Sequence, residues 1–227
     1  STVLRERDPN APAKPVRYII NTTADADHAG GNEKLSTAGR TFTGGNVAGD
    51  IGDAATGAAI LAHENVLGRL SEPLPGQRPT PTRALPTDTY YVDTMKLSHF
   101  FNGEGVQLFY VPAAHTDGDS IVQFRGTDVI AAGDIFSNDT YPVIDVARGG
   151  GINGIIAGLN HILDLSFAEF RTEGGTMVVP GHGRIGDSAD VAYYREVFRI
   201  EDLAGESLFE DREGADDRSE EHTSELQ

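Results

Sequence analysis

The 227-residue chain contains no cysteine and no tryptophan. Without cysteine it forms no disulfide and offers no thiolate, so any metal site must be built from His, Asp or Glu, a donor set that suits zinc, manganese or iron. The same absence leaves the redox compartment open. Positive charge is scarce: 18 Lys and Arg stand against 35 Asp and Glu, a formal net charge of −17. That balance argues against nucleic acid or an anionic membrane as a partner and leaves a small molecule as the expected one. The acidity is uneven, because residues 199–227 hold 11 acidic and 3 basic residues, which leaves −9 for residues 1–198. No apolar run approaches the roughly 20 residues needed to cross a bilayer, so no membrane span is expected.

What is present suits a globular chain: 38% hydrophobic residues for a core, with 27 glycines and 11 prolines for turns. The chain starts at Ser1 with neither an initiator Met nor a signal segment. Secretion or a periplasmic location would therefore require a leader upstream. At the other end Arg218–Gln227 reads RSEEHTSELQ, which resembles the translation of a sequencing adapter, and we set it apart from the fold. The expected organisation is a domain over residues 1–198, an acidic segment over 199–217 and a read-through segment over 218–227. The sequence shows no internal repeat and does not indicate an oligomeric state.

Val16–Asn21 (VRYIIN) reads as a buried strand that runs into the polar loop Thr22–Asn32. Ala54–Leu70 carries Ile60, Leu61, Val66, Leu67 and Leu70 at helical spacing and predicts an amphipathic helix. Five prolines between Ser71 and Thr87 make an extended surface connection. Strands are then expected at Thr89–Val92, Met95–Phe101, Val106–Pro112, Ser120–Phe124, Asp128–Ala132 and Thr176–Val179. Helices are expected at Gly154–Leu165 and Asp190–Phe198. Strands interleaved with helices indicate an α/β protein.

Four of these strands deliver polar side chains at or just beyond their C-terminal ends. The first leads to Asp25, Asp27 and His28; Val106–Pro112 leads to His115; Asp128–Ala132 leads to Asp134; Thr176–Val179 leads to His182. Short glycine-containing loops on a rigid sheet are a good way to bring distant side chains onto one ion. Any one strand-end His is usually an ordinary surface residue. Repetition after successive strands, with Asp27 and His28 adjacent and glycines flanking His182, points instead to a shared metal site.

These residues resemble the metallo-β-lactamase superfamily over residues 16 to about 198. The family's H-x-H-x-D-H and following x-G-G-N are matched by TADADHAGGN from Thr23 to Asn32; a later His by His115 in AAHTDGDS; the bridging acid by Asp134 in AAGDIF; and the last His by His182 in VPGHG. The resemblance implies an αββα sandwich with the metal at one edge, between the two sheets. It also implies a hydrolase acting on an ester, thioester, amide or phosphoester bond through an ion and water, without a Ser or Cys nucleophile.

Two departures qualify that expectation. Thr23 and Asp25 stand where the family has its first two histidines, which with the His matched by His115 hold the first metal. The set implied for the second metal, Asp27, His28, Asp134 and His182, is untouched. One firmly held Zn2+ is therefore expected there. A second ion would fall to Asp25, His115 and Asp134 and would be weaker or of harder type, such as Mn or Fe. Asp27 or Asp25 would orient the attacking water. The alternatives are a binding protein that has lost hydrolysis and, because diiron relatives carry a carboxylate at the Asp25 position, an iron-dependent oxidoreductase. The second departure is at the start, where the family usually has about fifty more residues; the first sheet is expected to be incomplete, with an exposed edge.

Other residues receive plainer readings. His63 and Glu64 are expected on a solvated helix face, His161 and His99 as packed side chains, and Gly149–Gly151 as a flexible loop over the site rather than an anion cradle. Asp119 and Ser120 are expected to fix the loop that carries His115.

Overall fold

The computed structural model describes residues 16–40, 57–72, 78–97, 103–167 and 175–198. In chain order the elements are β1 (Tyr18–Ile20), α1 (Ala26–Ala29), α2 (Asn32–Ala38), β2 (Ala59–His63), α3 (Glu64–Ser71), β3 (Asp88–Tyr90), β4 (Thr94–Leu97), β5 (Val106–Val111), β6 (Asp119–Phe124), β7 (Val129–Ser137), α4 (Ile152–Leu165) and β8 (Met177–His182). A last helix, α5, covers 188–198 within the described residues.

The strands form two sheets. The first is parallel, in the order β1-β2-β3, and the second runs β4-β5-β6-β7-β8. The second is antiparallel except for the parallel β7–β8 pair. Side chains alternate across the larger sheet, as the pleat requires. Leu108, Tyr110, Val122, Phe124 and Ala131 face inward, where they meet Ile20, Leu61 and Tyr90 of the smaller sheet. Phe109, Val111, Ile121, Ile130 and Ala132 face outward onto Ile155, Leu159 and Ile162 of α4 and Val191, Tyr194 and Phe198 of α5. Helices α2 and α3 pack on the smaller sheet. The result is an αββα sandwich, as the sequence leads one to expect. Each fully buried Leu, Ile or Phe of these two layers contributes about 1.5–3 kcal/mol.

The structure corrects the reading of Ala54–Leu70 as one helix. Ala59–His63 is a strand, central in its sheet and paired parallel on both sides, and the helix begins only at Glu64. A strand buried on both faces has no polar alternation, so AILAH reads as a helical stretch when only periodicity is consulted. His63 accordingly ends a strand and is buried, at 3% exposure, instead of lying on a solvated face. It stacks on Tyr110 with ring centroids 3.7 Å apart and accepts from the Asn65 backbone N–H as the cap of α3. Glu64 is exposed. His161 packs edge-on against Phe109 with centroids 4.6 Å apart. His99 lies outside the described residues.

Two strands also extend further than the sequence suggests. β7 continues through Asp134 to Ser137, and β8 continues through His182. Both residues therefore sit in a pair of strands whose register slips twice, between Ala131 and Gly133 and between Gly133 and Ser137. The slips act as bulges, re-aiming side chains where regular pleating would bury or splay them.

Candidate metal centre

Asn21 directly follows β1 and is buried with Asn32 in a reciprocal amide pair, Asn21 Nδ2 donating at 3.0 Å and Asn32 Nδ2 at 2.8 Å. That pair closes the loop between them, and α1 begins inside it with Asp25 at its N-cap. Asp25, Asp27 and His28 are thus presented from one short, pinned segment. The Thr22 hydroxyl lies 3.3 Å from His28 Nδ1, and the opposite ring nitrogen, Nε2, lies 3.1 Å from Asp134 Oδ1.

Asp134 reaches this position through two glycines. Gly133 has φ +55°, a conformation that favours glycine, and a Cβ there would meet the Thr22 side chain at 2.8 Å. A Cβ on Gly181, from β8, would collide with Asp134 Oδ1. The next residue, His182, places Nε2 3.0 Å from Asp27 Oδ2 and 3.6 Å from Asp134 Oδ1. The loop after β5 supplies His115. Its Nδ1 donates to the Val143 carbonyl at 2.6 Å, which turns Nε2 toward Asp25 Oδ2 at 2.5 Å and Asp134 Oδ2 at 3.6 Å.

Six sequence-predicted residues therefore converge. They divide into Asp27, His28 and His182 on one side and Asp25, His115 and Asp134 on the other, with ligand atoms in each group within 4.8 Å of one another. The Asp134 carboxylate faces both, with Oδ1 toward His28 and His182 and Oδ2 toward His115. Donors that share one ion at about 2.0–2.2 Å lie roughly 3–3.5 Å apart, whether or not water takes a further position on it. Three contacts join Asp27, His28, His182 and Asp134 near that spacing: His182 to Asp27 at 3.0 Å, His28 to Asp134 at 3.1 Å and His182 to Asp134 at 3.6 Å. Two imidazoles and two carboxylates are a donor set that could hold a divalent metal ion.

The second group is already engaged. Asp25 Oδ2 meets His115, and Asp25 Oδ1 accepts from Arg148 Nη1 at 2.7 Å. Arg148 was not anticipated from the sequence. The His115 bond and the charges of His115 and Arg148 outweigh burial and hold the Asp25 carboxyl below its ordinary range. Burial disfavours the His115 cation, but the bonds to Asp25 and the Val143 carbonyl prevail and lift its pKa to about 9. The bond to Asp134 likewise raises His28 against the effect of burial.

The surrounding loops are fixed by backbone bonds. Asp119 accepts from the Thr116 N–H at 2.6 Å and the Thr116 hydroxyl at 3.0 Å, holding the turn that presents His115. Ser120 meets the Tyr90 hydroxyl of the other sheet at 2.6 Å. Gly149–Gly151 differs from the flexible loop expected. The N–H groups of Gly149, Gly150 and Gly151 donate to the carbonyls of Val146, Asp145 and Ala114. None of these three glycine N–H groups is left for an anion cradle, and a Cβ on Gly150 would collide with the His115 carbonyl oxygen. The run is a close backbone contact with the His115 loop. In front of the donors opens a cavity of about 530 Å³, lined by Asp25, Asp27, Asp134 and His182 and walled by Tyr141 and Val143.

A profile of the metallo-beta-lactamase superfamily matches residues 3–182, and the chain belongs to that superfamily. Among solved structures, the BLEG-1 B3 metallo-beta-lactamase is 20% identical, with 83% of this chain and 78% of that one covered at a TM-score of 0.57. A metallo-beta-lactamase from Pontibacter korlensis is 14% identical over 87% and 74%, at 0.55, and the DIM-1 metallo-beta-lactamase is 18% identical over 80% and 68%, at 0.53. At these identities the likeness is one of fold. Comparison with curated proteins finds no match. Superfamily membership supports a metal-dependent hydrolase as the broad class.

Proposed function

We propose that the protein hydrolyses an ester, thioester, amide or phosphoester bond of a small molecule, using a single zinc ion held by Asp27, His28, Asp134 and His182. The observation that carries this reading is a chain of three contacts, Asp27 to His182 at 3.0 Å, His182 to Asp134 at 3.6 Å and Asp134 to His28 at 3.1 Å, which links four donors from three separate chain segments. When bound, the ion supplies Lewis acidity, which polarises the scissile carbonyl or phosphoryl oxygen and eases the ionisation of water.

The chain's own residues supply position and proton handling. Asp27 is half exposed beside the cavity, while both oxygens of Asp25 are engaged by His115 and Arg148. Asp27 is thus the carboxylate placed to orient water and accept its proton. Tyr141 and Val143, exposed at 67% and 69% on the cavity wall, give an apolar surface for the substrate's body. The engagement of Asp25 also speaks against a diiron oxidoreductase, which needs that carboxylate as a ligand.

The test loads the purified chain with one equivalent of zinc and assays a β-lactam, a thioester, a lactone and a phosphodiester. Hydrolysis of one class, abolished by both a chelator and His182→Ala, is the expected result. Failure to retain zinc, or hydrolysis indifferent to His182→Ala, would overturn the proposal.

A further inference from the structure

We propose that Arg148 stands in for the cation at the Asp25–His115–Asp134 group, so that the protein takes one divalent ion per chain. The inference rests on the reading that Asp27, His28, Asp134 and His182 hold that ion, and it concerns what keeps a second ion out.

The second group has the donors that a metal would find attractive: two carboxylates and an imidazole within 4.8 Å. Arg148 already meets part of its charge from within the chain. Arg148 Nη1 lies 2.7 Å from Asp25 Oδ1, and His115 Nε2 lies 2.5 Å from Asp25 Oδ2. The Thr23 hydroxyl sits 3.5 Å from the same Oδ2 and adds no nitrogen donor. An incoming divalent ion could still draw on His115, but it would have to displace Arg148 from Asp25 or lie beside a guanidinium, which does not deprotonate.

Arg148 is also held where it is. Its Nε lies 3.3 Å from Asp145 Oδ2, and its backbone N–H donates to Asp145 Oδ1 at 3.1 Å. Its carbonyl accepts from the Asp117 N–H at 2.9 Å. The Asp145 N–H donates to the His115 carbonyl and the Gly151 N–H to the Ala114 carbonyl, each at 2.9 Å. The turn that bears the cation is therefore clamped to the loop that bears His115. A guanidinium that swung freely would yield to a metal; one bonded at both its side chain and its main chain resists it. Arg148 is a positioning residue in this arrangement. It fixes Asp25 and leaves Asp134 Oδ1 to the other donor group.

The experiment counts ions instead of turnover. The metal-free chain is dialysed to equilibrium against rising free zinc, and bound metal is measured by elemental analysis, with affinities from competition by a chromophoric chelator. Wild type is expected to take one equivalent. Arg148→Ala is expected to take a second, bound at least about tenfold more tightly than any second ion in wild type. That second ion should be lost again in Arg148→Ala combined with His115→Ala. Arg148→Gln keeps a donor for Asp25 without the charge and carries the same expectation should the alanine variant misfold. Two equivalents of similar affinity in wild type, or a folded Arg148 variant with unchanged stoichiometry, would overturn the proposal. His182→Ala in the wild-type background separates the two readings. Loss of the first equivalent supports the ion's placement, and its survival refutes that placement whatever Arg148 does.

Discussion

His28 Nε2 lies 3.1 Å from Asp134 Oδ1 although 106 residues separate them. The approach depends on Gly181, whose missing side chain leaves room for the Asp134 carboxylate; a Cβ there would collide with Oδ1. Gly181→Ala should therefore turn Asp134 away from His28 and His182 without emptying the core. Zinc affinity should fall by about 10–100-fold, the range seen when groups that orient a ligand are disturbed. A competition titration with a chromophoric chelator measures this, with circular dichroism to confirm the fold. Unaltered affinity would show that Asp134 is not where the ion is held.

Two other glycines give opposite expectations for stability. Gly154 lies in the first turn of α4, where a Cβ would collide with the Ala113 carbonyl group. Neither backbone can yield cheaply, so Gly154→Ala should destabilise by about 3 kcal/mol or more. Gly68 lies within α3, exposed, and a Cβ added there would have no other heavy atom within 4 Å. Gly68→Ala should stabilise by up to about 1 kcal/mol through helix propensity. Urea unfolding of the two variants beside wild type tests both, and a neutral Gly154→Ala would mean that α4 does not press on the His115 loop.

Much of this was legible in the sequence because glycine and polar residues break the apolar runs at the points that matter. The order of Asp27, His28, His115, Asp134 and His182 along the chain, and the strands that lead to most of them, can be read directly. β2 could not be recognised, since a central parallel strand lacks the alternation that identifies a half-buried one. Its loss also misplaced His63. Arg148 was invisible for a different reason. It sits in a three-residue 3-10 turn with no periodicity of its own, and its pairing with Asp25 spans 123 residues. The one available signal was Asp25 itself: a carboxylate in a histidine's place adds negative charge that some cation must offset.

Asp119 should make the stability of the protein depend on pH. Burial raises its carboxyl to about 7, against the two Thr116 bonds and the His115 charge, which lower it. An acid whose folded pKa lies above its unfolded value, about 3.9, binds more protons in the folded state. Its contribution is full below about pH 4 and is lost as pH rises through 7. Asp119→Asn can keep both contacts to Thr116 without titrating. The gap in unfolding free energy between wild type and this variant should move against wild type from about pH 4 to about pH 7.5 in chelator-treated protein. A gap that stays constant over that range would show that Asp119 is already ionised at its acid end.

The Asn21–Asn32 pair carries the last prediction, because it links the sequence motif to both stability and metal binding. Asn32 is 1% exposed and gives Nδ2 to Asn21 Oδ1 at 2.8 Å and to the Ala84 carbonyl at 2.9 Å. Asn32→Ala strands Asn21 Oδ1 and that carbonyl away from water and leaves Asn21 Nδ2 only the His28 carbonyl at 3.5 Å, which costs about 1–3 kcal/mol. Asn21→Ala orphans Asn32 Oδ1, while Asn32 Nδ2 keeps the Ala84 carbonyl. Removing both leaves fewer orphaned groups than the two single losses suggest, so the double variant should be less destabilised than their sum. Because this pair closes the loop bearing Asp25, Asp27 and His28, zinc affinity should fall in each single variant as well. Denaturant unfolding and chelator competition on the three variants measure the two effects separately. Additive losses in stability would mean that the amides do not bond to one another, and unchanged affinity would mean that α1 is held by other contacts.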